Sequence, residues 1–154
     1  MKSVNNPNEL VDSMDLEEAH NLLMAYTIEH ARNDETFIHQ LGVDAWAAQQ
    51  ADSNSKPIAV AFALIGLYLH LEKNFTGKEV QNAHVKLAAN CKMWPTFELP
   101  ASRGNITVYD VMEKPPGEER DAMIEKWCAS VWRAYRDSHE KVIELVSQEL
   151  YRDK

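Results

Sequence analysis

Pro57-Ile-Ala-Val-Ala-Phe-Ala-Leu-Ile-Gly-Leu-Tyr-Leu-His-Leu71 carries no charge from Ile58 to Leu71 and is closed by Lys56 before it and Glu72-Lys73 after it. Fourteen residues fall short of the ~20 needed to span a bilayer, so the stretch predicts a core helix and not a membrane span. Pro57 suits a first helical position, where the missing N–H would be unsatisfied anyway, with Ser55 or Lys56 outside it. Burying Ile58, Val60, Phe62, Leu64, Ile65, Leu67, Leu69 and Leu71 at roughly 1.5–3 kcal/mol per large side chain would make this segment the centre of the fold.

Working outward, Asp15 followed by Glu18 resembles a capping box, and Leu16, Ala19, Leu23, Tyr26 and His30 recur at helical spacing up to Arg32. A second helix is expected over Glu35–Gln50, with Phe37, Leu41, Ala45 and Ala48 on one face. Residues 51–56 are turn chemistry, and a shorter pattern through Val80, Ala83, Leu87 and Ala88 predicts a fourth helix ending near Asn90. Lys92 to Gly117 holds four of the six prolines and two of the five glycines, and reads as a long irregular connection. Within it, Ile106–Val111 has strand propensity, but Thr107 with Asp110 looks like a capping box opening one turn of helix, which is the preferred reading. From Gly117 the apolar period runs nearly to Leu150 as one long helix or two, with cap-like Asp137-Ser-His-Glu140 marking a possible break. The expectation is all-α: a bundle of about five to six helices around a central apolar helix (58–72), with a long irregular connection (92–117). Residues 1–154 would form one helical domain, of which 1–14 is a flexible N-terminal segment.

Composition limits what such a bundle does. A chain of 154 residues, 45% hydrophobic, can bury a core without staples. A formal charge of −8 repels phosphate backbones and anionic lipid, which argues against nucleic acid and membrane partners. Two isolated cysteines, Cys91 and Cys128, and an N-terminus without a signal-peptide core predict a cytoplasmic protein.

The candidates for chemistry are histidines and nearby carboxylates. His139 falls inside the apolar arc near Trp132, Tyr135 and Val142, either as a core histidine with a backbone partner or as a metal ligand or general base. His39 and Asp44 are close in sequence, but five residues turn an unbroken helix by about 500°, leaving the side chains about 140° apart. Asp44 lies at the edge of the buried face, where a carboxylate must be capped, paired or raised in pKa, and anchoring a neighbouring loop is favoured over catalysis. His39 shares its side with Val43, Trp46 and Gln50. Glu17-x-x-His20 has the spacing of di-metal bundles but lacks a second copy, and Glu35 with His39 could hold one metal corner. His70 and His84 read as boundary or surface histidines, and no phosphate loop, nucleophile elbow or H-E-x-x-H motif is present.

His39-x-Leu-x-Val-Asp-Ala-Trp-Ala-x-Gln49, Ile65-Gly-Leu-x-Leu-x-Leu-Glu72, Ile106-Thr-Val-x-Asp-Val111, Trp127-x-x-Ser-Val-Trp132 and His139 resemble the ordered landmarks of a family of uncharacterised bacterial proteins, a domain of unknown function. The resemblance covers about residues 35–150. The family pattern has Gln-His-Pro where this chain has Gln49-Gln50-Ala51, so a histidine that could have joined His39 and His139 is missing. The resemblance implies an ordered core and no particular reaction.

Two function classes stand. One is a non-enzymatic module that binds a small molecule or protein, its groove shaped by the connection with Trp46, Trp94, Phe97, Tyr109 and Trp132. The other is a metal-dependent enzyme with His39, His139, Asp44 and Glu72 around one divalent transition metal. A homodimer through a straight, projecting last helix is compatible with either.

Overall fold

The computed structural model describes residues 14–29, 38–90 and 93–151. Among these the fold is all-α, with no strand: α1 (Leu16–Glu29), α2 (Ile38–Gln50), α3 (Pro57–Lys73), α4 (Gly77–Asn90), α5 (Val108–Glu113), α6 (Glu118–Ala134) and α7 (His139–Glu149). The expected helical positions Glu35, Phe37 and His30, the thiol of Cys91 and nearly all of the expected N-terminal segment lie outside the described residues. Among the described residues no helix is long and apolar enough to cross a membrane.

The apolar stretch behaves as its composition dictates. Pro57 opens α3 with Lys56 as N-cap, and Asn74, in the left-handed region at φ 61°, ends it. Nine consecutive or near-consecutive residues from Val60 to Leu69 are buried, but Ile58 is exposed and Phe62 and Leu71 are half-buried. The centre is a pair of helices rather than one: α2 packs on α1, α3, α4 and α6, while α3 packs on α2, α4, α6 and α7. Leu41, Ala45 and Ala48 supply the buried face of α2, as the helical period predicts.

Local signals set the remaining boundaries. Asp15 Oδ1 accepts the Glu18 N–H at 2.8 Å. Thr76 and Glu79 form a reciprocal cap before α4. The Thr107–Asp110 capping box opens α5, so the Ile106–Val111 segment is helix and not strand. At the C-terminus the long apolar period is interrupted: α6 stops at Ala134, a 3-10 turn covers Arg136–Ser138, and α7 starts at His139. At the break the Tyr135 ring is buried and its hydroxyl donates to the Ala48 carbonyl at 2.6 Å. The straight projecting helix invoked for dimerisation does not form, and Val142 on α7 belongs to the core.

Candidate functional site

The C-terminal end of α2 is where the long connection is fastened. Gln49, buried at that end, donates its amide to the carbonyls of Arg103 (3.2 Å) and Ile106 (2.7 Å) and accepts the Trp127 indole N–H at 2.9 Å. Arg103 reaches back, donating to the carbonyls of Gln49, Ala51 and Pro100. A guanidinium at a helix C-terminus satisfies carbonyls that the helix itself leaves open and sits favourably in its dipole. The loop anchor that the sequence reading assigned to Asp44 is therefore Gln49 with Arg103. Counting apolar positions could not single out Gln49, although its place in the landmark pattern did.

Asp44 is buried between α2, α3 and α6. Its Oδ1 accepts from Gln40 at 3.1 Å, and its Oδ2 has no hydrogen-bond partner among the described residues. Burial, opposed by the Gln40 bond, pushes its pKa well above the usual carboxylate range. Gly66 on α3 makes room for it: a Cβ on Gly66 would overlap Asp44 Oδ2, well inside van der Waals contact. Nearby Cys128 donates weakly to the Leu41 carbonyl, and burial, with the charges of Glu125 and Asp44, drives its thiol pKa well up, the opposite of an activated nucleophile.

Glu72 and His139 meet on two sides of Trp132. The indole N–H donates to Glu72 Oε2 at 2.6 Å, while the His139 ring stacks on the indole at 3.7 Å and its Nε2–H donates to the Trp132 carbonyl at 2.7 Å. His39 is elsewhere, with Nδ1 2.9 Å from the Thr27 hydroxyl. Since that hydroxyl donates to the Met24 carbonyl, the His39 Nδ1–H is the donor to it. Burial lowers the pKa of His39, and lowers that of His20, which stacks on Trp46 at 3.9 Å. Thus Glu72 and His139 share one indole, whereas His39 and Asp44 each have separate partners. Among the described residues no group of three or more His, Cys, Asp or Glu could hold a metal ion.

His70, a boundary residue in the sequence reading, carries the best-defined ionic contact. Its Nδ1 lies 2.7 Å from the Phe75 carbonyl and its Nε2 2.7 Å from Glu125, two acceptors that demand two ring protons. Burial works against that charge, but the Glu125 hydrogen bond, the Phe75 carbonyl and the Glu125 charge together raise the pKa. With both nitrogens donating, His70 has none left to serve as a base. His84 donates to the Phe62 carbonyl at 2.9 Å and stacks on that ring.

The aromatic residues assigned to a groove are also dispersed. Trp46 covers His20, Trp94 meets Phe62 edge-on, Phe97 is buried beneath the Lys141 ammonium, and Tyr109 donates to the Met14 carbonyl. The connection does form a cleft, of about 830 Å³, but residues 100–106 wall it against the face of α6 bearing Lys126, Ser130 and Arg133, with Arg136 and Asp137 at its end. None of the five aromatics lines it. Gly104, at φ 104°, lies so close to α6 that a Cβ would sit 2.5 Å from Ser130 Oγ, and the Asn105 N–H donates to that oxygen at 3.1 Å.

The landmark residues therefore interlock: Asp44 with Gly66, Gln49 with Trp127, Glu72 with Trp132, Ser130 with the loop, and Thr107 with Asp110. Comparisons with curated proteins and with solved structures each found no match. A family model described as a family of unknown function (DUF5946) matches residues 17–136, most of the chain and all of the interlocked set, and the protein belongs to that family.

Proposed function

We propose that this chain is a non-enzymatic binding module whose ligand surface is the cleft between residues 100–106 and α6. One contrast supports this reading. The landmark polar side chains bond to other parts of the fold, while Lys126 and Arg133 at the cleft have no acidic partner among the described residues. Ligand sites are typically concave and largely pre-formed, and this wall is fixed from behind by Gln49 and Arg103. The competing reading, a metal-dependent enzyme holding a divalent transition metal, requires His39, His139, Asp44 and Glu72 to regroup around one ion.

A thermal-shift screen of small molecules on the intact chain and on Ala129→Trp, which fills the cleft from an exposed α6 position, tests the module. Compounds that raise the Tm of the natural chain by several degrees and leave Ala129→Trp unmoved are expected. Hits that act equally on both chains would remove the cleft from the proposal. Stoichiometric zinc, iron or manganese in protein purified without a metal-affinity tag, lost on His139→Ala, would overturn it in favour of the enzyme.

A further inference from the structure

The cleft departs from the rest of the chain in charge. The protein carries 24 acidic against 16 basic residues, yet the cleft is lined by three cations, Lys126, Arg133 and Arg136, and one carboxylate, Asp137. With three cations against one carboxylate the cleft carries a net positive charge, which its low-dielectric walls focus, so a local positive site stands out against an acidic background that repels anions elsewhere. Lys126 and Arg133 are seven residues apart, hence on the same side of α6 and about 10 Å apart along its axis, with Ser130 between them. That separation suits charge distributed over a molecule better than a single small ion.

Hydrogen-bonding capacity is also left open. Ser130 Oγ accepts from the Asn105 N–H and among the described residues donates to no acceptor, so its own hydrogen is available to one in the cleft. Among the described residues Arg136 donates only a long bond, 3.5 Å, to the Arg133 carbonyl, leaving most of its guanidinium donors uncommitted there. The backbone of Gly104 and Asn105 is pinned to α6, so the opposite wall need not be ordered by the ligand.

Resting on the binding-module reading, we propose that this cleft binds a small molecule bearing two or more oxyanion charges, phosphate or carboxylate. Lys126, Arg133 and Arg136 neutralise it and the Ser130 hydroxyl donates to it. Phosphate and carboxylate share this chemistry, and two probes separate them: inorganic pyrophosphate and citrate, each titrated calorimetrically into the full chain at low and at moderate ionic strength. Binding of at least one probe is expected, weakened at least tenfold in Lys126→Gln/Arg133→Gln and unchanged in Lys86→Gln, an exposed lysine on α4 outside the cleft. Both cleft positions are solvent-exposed, so the double variant should keep the natural Tm, and equal Tm values are the check that folding is intact. Preference for pyrophosphate assigns phosphoryl ligands and preference for citrate assigns carboxylates. If neither probe binds, or the double variant binds equally well, the oxyanion assignment fails. Neutral hits abolished by Ala129→Trp would then leave the module reading standing, and their absence as well would remove both.

Discussion

Asp44 and Gly66 show how one residue fixes the identity of another 22 positions away. The carboxyl occupies the space that any side chain at 66 would need, so Gly66 is required by packing rather than by backbone freedom. Gly66→Ala should therefore destabilise the protein by about 1–3 kcal/mol through overpacking. In Asp44→Ala/Gly66→Ala the new methyl group enters the volume the carboxyl vacated, and the double variant should recover part of the loss. Urea unfolding of the two single variants and the double variant forms a cycle, and additive losses would show that the two positions do not share that space. Helical geometry placed Asp44 at the buried edge and separated it from His39. It could not reveal that the neighbour at Oδ2 would be a glycine, because that depends on the register between α2 and α3.

At the level of elements, the irregular connection behaves as a fixed wall because its backbone is bonded to α2 and α6. Gln49 satisfies two of its carbonyls and the Trp127 indole at once. Gln49→Leu would strand these groups in a partly dry environment, with an expected loss on the order of 3 kcal/mol. Amide exchange should speed up across residues 101–107 while α1 keeps its protection. Uniform acceleration across the chain, or a loss under ~0.5 kcal/mol, would show that the connection is held by packing alone. The helices themselves were readable because capping chemistry and the 3.6 period are local, as at Thr107 and Asp110. The C-terminal break was readable only as an alternative, since the apolar period continues across it and cap-like Asp137-Ser-His-Glu140 does not by itself choose between one helix and two.

Across the whole molecule, the ionisation of Asp44 is tied to global stability because its carboxyl is enclosed by three helices. Burial holds its pKa well above the ordinary 3.8, so the native state keeps a proton that the unfolded chain has released. Over the window from about pH 4 up to the raised pKa, unfolding free energy therefore falls as pH rises. Asp44→Asn removes that decline, and its stability relative to the natural chain should grow as pH rises from about 4 toward the raised pKa, measured by urea unfolding. A difference that does not change with pH would show that Asp44 titrates normally.

The sequence by itself determined the all-helical class, the α3 core helix, the absence of a helix able to span a membrane among the described residues, and most helix boundaries. These follow from charge, length and periodicity, which act within a turn or two of chain. Only the tertiary structure decided that Gln49 meets Trp127, Glu72 meets Trp132 and His70 meets Glu125, pairs separated by 78, 60 and 55 residues. The cationic cleft belongs to the same class, assembled from α6 and a loop that no local pattern connects. Periodicity tells which face of a helix is turned inward, but the polar group awaiting it there is set by the packing of the other helices.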